Sequence, residues 1–300
     1  MQLDASRIGE EFDSFRYEVS REKIKEYSLA IGMPDPDPTA ETVVAPPTFA
    51  ACFTLGAVSP LWLDPSLSPH PNHVHAQQEF EFHRPMRSGD RYECQRRIAD
   101  VSEHKGLEFL TFEFTCHDVA TDEPVVTART VIVYFDPERP RAAAGRAADV
   151  SAAATPAPAA ATGQFADLAA GQRLPSRTET IDQARLIRYA GATADFTPLH
   201  WDAVHARRVS PTGGIIAPGM LSMGYTARLV TDWMPADARL ESLSASFRAP
   251  CPLGATLTIG GEVLEVDRSA RTALLAVSVE LPDGGRIIDA ARSRARVRFA

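Results

Sequence analysis

Two side chains able to move protons stand close together in YAGATADFTPLHWD, residues 189–202: the carboxyl of Asp195 and the imidazole of His200. Between them are Phe196, Thr197, Pro198 and Leu199, all apolar or hydroxyl-bearing. An exposed loop would use more Gly, Ser and Asn, and a helix interior would not accept Pro198. A partly buried carboxylate beside an imidazole can hold one water molecule and shuttle its protons near neutral pH. Further on, GGIIAPGMLSMG places Gly219 at the start of an apolar, small-residue segment. A helix beginning there offers backbone N–H groups and positive potential to an oxygen that gains negative charge.

Those groups need elements to aim them. A helix over the residues before Ala192 must stop, and Pro198 forces an extended turn that can overhang a neighbouring unit. Thr180 and Gln183 have capping-box spacing at the start of that helix. Downstream, alternation predicts strands over 239–248, 256–266, 272–281 and 286–299, after a helix over 219–233. The first half of the chain repeats this order. Extended segments at 14–19 and 173–181 each lead into a helix. In the first half Ser20 can cap it, and Val19 and Ile24 have staple spacing. A helix over 47–58 and strands over 78–84, 91–103, 107–118 and 124–135 follow. In the third of these strands, Phe112 and Phe114 should face one way, Thr111 and Glu113 the other.

Three blocks match between the halves in the same order. VSREKIKEYSLAIGMPDP matches IDQARLIRYAGATADFTP, VVAPPTF matches IIAPGML, and FHRPMRSGD matches FRAPCPLGA, with Phe82, Pro85 and Gly89 against Phe247, Pro250 and Gly254. This is an internal duplication. Residues 139–163 are rich in Ala, Pro and Arg, without a large apolar side chain except Val150; such a composition does not offset its ordering entropy and reads as a linker. The domains expected are 1–138, the linker 139–163, and 164–300. One apolar helix with about five antiparallel strands per half implies a sheet curled around a buried helix, an α+β fold. Two tandem units can pair edge to edge into one sheet.

The 300 residues carry a formal net charge of -8, against nucleic acid as the main partner. No run of about eighteen apolar residues marks a membrane span. MQLDASRIGEEFDSF does not read as a signal peptide, and Cys52, Cys94, Cys116 and Cys251 lack paired spacing, so a reducing cytoplasm is expected.

YAGATADFTPLHWD, GGIIAPGMLSMG and FRAPCPLG together resemble the MaoC-like (R)-specific enoyl-CoA hydratases and 3-hydroxyacyl-thioester dehydratases, hotdog folds whose motif runs Asp-x-Asn-Pro-x-His. QQEFEFHRPMRSGD resembles the N-terminal dehydratase half of double-hotdog members. The resemblance covers nearly everything but the linker. It implies a double hotdog that reversibly hydrates trans-2-enoyl thioesters, or dehydrates (3R)-hydroxyacyl thioesters, carried on CoA or an acyl carrier protein, in fatty acid or polyketide metabolism. It implies Asp195 and His200 as catalytic pair, Gly219 as the amide that polarises the thioester carbonyl, and Thr197, Pro198 and Met220 near the substrate. No cofactor is expected. Two positions depart from the family: Thr197 stands for Asn, and Pro218 for a frequent His.

Aligned through Tyr27 and Tyr189, the first half has Met33 opposite Asp195, Pro38 opposite His200 and Pro47 opposite Gly219. One active site per chain follows, with Phe49, Phe53 and Leu55 offered as acyl-pocket wall. Alternatives stay open: a small dicarboxylic (mesaconyl-type) acyl-CoA hydratase, a thioesterase, or a non-catalytic acyl-thioester binding protein. Association into a homo-oligomer is compatible with the sequence but fixed by no residue. His70, His73 and His75 in SPHPNHVHA read as a solvated loop, not a metal site. Arg292, Arg294, Arg296 and Arg298 read as a solvated sheet face, with a phosphate or carrier-protein stripe as the sharper alternative. Arg84, Arg87 and Arg91 invite the same thought. Neither a nucleophile elbow nor a phosphate or dinucleotide loop is present.

Overall fold

The computed structural model describes residues 3–62, 64, 66, 67, 73–135 and 163–300, with side chains at all of these except 57–60 and 62. Most of the expected linker falls outside them. The first half runs β1 (Glu11–Glu18), α1 (Arg21–Ala30), α2 (Ala51–Trp62), β2 (His73–Phe82), β3 (Arg91–His104), β4 (Leu107–Asp118) and β5 (Pro124–Tyr134). The second runs β6 (Arg177–Thr180), α3 (Gln183–Thr193), α4 (Ala203–Val209), β7 (Ile216–Ala217), α5 (Gly219–Trp233), β8 (Arg239–Ser246), β9 (Cys251–Pro252), β10 (Thr256–Asp267), β11 (Thr272–Glu280), β12 (Arg286–Ile288) and β13 (Arg294–Arg298).

The main sheet has the order β1-β3-β4-β5-β2-β8-β13-β11-β10-β6, with β12 on β11, and β7 and β9 form a separate ribbon. Read from its two ends, the order is the same element for element. The seam is the antiparallel pair β2–β8, in which Phe80 faces Leu243, Glu79 faces Ser244 and Gln78 faces Ala245. Phe80 and Leu243 are fully buried. The architecture is the α+β double hotdog, each half a curled antiparallel sheet around its helix.

The duplication extends to single hydrogen bonds. Gly89 N–H donates to Val19 O and Gly254 N–H donates to Ile181 O, both at 2.8 Å. Both glycines adopt positive φ, 91° and 86°, where a side chain would be strained. Val19 and Ile24 are both buried, as their staple spacing requires.

Two local expectations change. Asp182, not Thr180, caps α3, accepting from Arg185 N at 2.7 Å; Thr180 is still paired in β6. The final strand is broken into β12 and β13, because Asp289 turns the chain by accepting from Ala291 N through its side chain and from Arg292 N through its carbonyl. In β4, Glu113 lies on the face opposite Phe112 and Phe114, its carboxylate buried between Arg97, at 2.6 Å, and Arg129, at 2.8 Å.

The halves also meet through their helices. The Tyr27 and Tyr189 rings, at matching positions of α1 and α3, lie 6.1 Å apart. Arg228 of α5 bonds the Ile31 carbonyl at 3.4 Å and Glu179 at 3.0 Å, and Glu179 also pairs with Arg185 at 2.5 Å. Gly224 allows this approach: a Cβ there would stand 2.7 Å from Ile31 Cγ2. Gly224→Val is therefore expected to cost about 1–3 kcal/mol, read as a lower urea midpoint. Gly191 in α3 has open space around a built Cβ. Gly191→Ala should stabilise by about 0.5–1 kcal/mol in the same titration.

Candidate active site

The chain leaves α3 through Ala194, which takes the left-handed conformation at φ 58° and ψ 19°. That residue ends the helix and starts the loop with Asp195. Thr197 then turns back on the acid: its hydroxyl donates to Asp195 Oδ1 at 2.7 Å and its backbone N–H approaches the same oxygen at 3.3 Å. The family's Asn at this position is thus replaced by a hydroxyl that orients the carboxylate. Pro198 opens a short 3-10 turn, Pro198–His200, and Asp202 stops it by capping α4. Backbone N–H groups of His205 and Val204 hold the Asp202 carboxyl below its usual range.

His200 is fixed from its far side. Its Nδ1 lies 2.8 Å from the carbonyl of Ile216. A carbonyl oxygen only accepts, so Nδ1 carries a proton, and Nε2 is the ring nitrogen left to face Asp195. Nε2 stands 3.9 Å from Asp195 Oδ2, too far for a direct hydrogen bond and suited to one bridging water. The two side chains are only 14 % and 12 % exposed.

Ile216 belongs to β7, and the same strand leads through Ala217 and Pro218 into α5. Gly219 is the first residue of that helix, where N–H groups lack intrahelical acceptors. A Cβ on Gly219 would meet the Phe247 ring at 3.0 Å, so glycine is what lets this ring lie against the helix start. Pro218, in place of the family's His, occupies the N-cap position without a side-chain bond. Met220, next in the helix, is buried. Pro198 and Thr197 are exposed at the rim.

The remaining expected residues are held by aromatic packing in the first half and by polar contacts of the arginines. Phe49 and Phe53 pack with Tyr17, and Phe53 also with Tyr92, in the aromatic core of the first half. Phe49 meets Tyr27, whose ring in turn meets Tyr189. Leu55 is buried. In the first half the turn before the central helix runs from Pro46 into Pro47, a residue with no N–H to offer. Arg298 pairs with Glu241, and Arg294 bonds the carbonyls of Ala290, Ala291 and Ser293. Arg84 pairs with Asp90 and Asp118, and Arg91 with Glu18 at 3.4 Å.

Sequence reasoning missed His75. His70 lies outside the described residues, but His73 and His75 are strand residues of β2, not loop. The ladder slips between His75 and Gln77, a bulge of the kind that re-aims a side chain. The His75 ring meets Phe247 edge to face, 5.0 Å between centroids. Burial pushes its imidazole down to about 4, against the opposing pull of the Gln77 carbonyl and the Asp195 carboxylate. The alternating run HVHAQQEFEF was the signal for a longer strand, masked by Pro69 and Pro71 just before it.

Residues 6–128 match the family described as FAS1-like, dehydratase domain region, and residues 165–283 match the MaoC like domain. A UPF0336 protein of Saccharopolyspora erythraea is 39% identical over 144 residues, 44% of this chain and 92% of the relative. One from Streptomyces avermitilis is 37% identical over 144 residues, 44% of this chain and 95% of the relative. A solved MaoC-like dehydratase superposes with a TM-score of 0.80 at 24% identity, over 98% of this chain and 99% of that one. A MaoC-like dehydratase of Phytophthora capsici gives 0.71 at 16% identity, over 99% and 98%. A Mycobacterium tuberculosis protein described as having a double hotdog fold gives 0.64 at 18% identity, over 97% and 96%. At these identities the solved structures speak to the fold, and the two family matches to the origin of each half. With a FAS1-like dehydratase region in its first half and a MaoC-like domain in its second, the chain belongs to the MaoC-like dehydratases in their double-hotdog form.

Proposed function

We propose that the chain is a hydro-lyase that adds water reversibly to trans-2-enoyl thioesters, with one active site per chain. The observation that carries this reading is the 3.9 Å gap between His200 Nε2 and Asp195 Oδ2, with His200 tied to the Ile216 carbonyl just ahead of α5. A water held in that gap attacks C3 of the enoyl group. One of its protons passes to the Asp195–His200 pair, and the pair delivers a proton to C2, so the sum is one H and one OH across the double bond. As the bond to C3 forms, charge moves onto the thioester oxygen, where the Gly219 amide and the start of α5 stabilise it. Run backwards, the same groups remove water from a (3R)-hydroxyacyl thioester.

The thioester is carried on CoA or on an acyl carrier protein, and the setting is fatty acid or polyketide metabolism in the cytoplasm. Phe49, Phe53 and Leu55 are offered as the apolar wall for the acyl chain, with Thr197, Pro198 and Met220 near the substrate. Turnover is favoured over a non-catalytic binding role because the Thr197 hydroxyl, in the place of Asn, orients Asp195 at 2.7 Å.

The test is loss of enoyl absorbance with crotonyl-CoA and a longer enoyl-CoA. Asp195→Asn and His200→Ala should each lower kcat by about a hundredfold or more. Rates equal to wild type in both variants would refute the site. Gly219→Ala, by pushing on the Phe247 ring, should cost about tenfold or more in kcat in the same assay. Thr197→Val should cost about tenfold and Thr197→Asn markedly less, because only the latter keeps a side-chain donor for Asp195.

A further inference from the structure

His75 comes from the half of the chain that lacks the acid–base pair, yet its ring is directed at the other half. Three observations place it. The bulge between His75 and Gln77 turns the side chain out of simple register with β5. The ring then stands edge to face with Phe247, 5.0 Å between centroids and 65° between planes. Its Nε2 is tied to the Gln77 carbonyl at 3.1 Å, which stops the imidazole from swinging away.

Phe247 is itself held at the backbone. Its N–H donates to the Ala76 carbonyl at 2.9 Å, inside the same bulge, and it bridges to Ile288 on its other side. With the backbone pinned, the ring keeps only its side-chain rotations. His75 contacts it on one side. On another it lies against Gly219, where a Cβ would come within 3.0 Å of Cδ1.

We propose that His75 is a positioning residue of the active site, which holds the Phe247 ring against Gly219 and so keeps water away from the amide that receives the thioester oxygen. The inference rests on the reaction proposed above. It gives the first half a part in catalysis beyond walling the acyl chain. The bulge of β2 supplies both a ring, through His75, and a backbone acceptor, through Ala76, to one aromatic side chain of the second half. Burial opposes protonation of the His75 ring more strongly than the Asp195 carboxylate, from the loop after α3, favours it.

The experiment compares wild type with His75→Ala and His75→Phe by enoyl-CoA hydration and by amide hydrogen exchange of peptides spanning 216–222. His75→Ala should lower kcat about tenfold with KM within about twofold, and should speed exchange in those peptides. His75→Phe keeps an aromatic edge against Phe247 and should restore both to within about threefold of wild type. If His75→Ala does not fold, His75→Leu, which fills space without a ring edge, is expected to show the same losses. A kcat and an exchange rate in His75→Ala equal to wild type would overturn the proposal. So would a His75→Phe enzyme as slow as His75→Ala, which would make the imidazole a chemical participant instead. If wild type turns over no enoyl thioester, the proposed reaction fails, and the exchange comparison alone decides whether His75 orders the start of α5.

Discussion

The pairing of β2 with β8 is the constraint on which the rest depends. Each strand would otherwise end a five-stranded sheet with a row of unpaired N–H and C=O groups. Joined, they bury Phe80 against Leu243 and make one continuous layer from β1 to β6. The register of the seam also decides what faces what. Beside it, Ala76 accepts the Phe247 amide, and from Phe247 the contacts run to Gly219 at the start of α5. The sheet thus brings residues of the first half to the edge of a site built by the second.

Within that site, the backbone does most of the aiming. Strand β7 offers the Ile216 carbonyl to His200 and continues into Gly219. One short strand therefore fixes the orientation of the imidazole and the place of the helix start together. Asp195 is set by Ala194 in a left-handed conformation and by the Thr197 hydroxyl. None of these supports is a charged group. The acid and the imidazole stand 3.9 Å apart and do not close into a direct hydrogen bond.

Much of this was legible in the sequence. Strand β4 and helix α5 fall where alternation and apolar content put them, because both are regular and strongly patterned. Asp195 and His200, on either side of Pro198, stand 3.9 Å apart. The parts that were missed depend on contacts that spacing does not encode. Asp182 outcompeted Thr180 as a cap because Thr180 was already committed to β6. Asp289 broke an otherwise uniform run of strand residues. Glu113 is buried because two arginines, one on each neighbouring strand, neutralise it. His75 was hidden because a bulge, not alternation, decides where it points.

The seam also has a kinetic meaning. Both strands that meet there belong to one polypeptide, so their encounter is unimolecular, with an effective concentration set by the tether. A site assembled from two separate subunits would come apart as they are diluted. Here the stoichiometry of the halves is fixed at one to one, and dilution leaves the assembled cleft unchanged. The first half has Met33, Pro38 and Pro47 where the second has Asp195, His200 and Gly219, and a single gene product carries both.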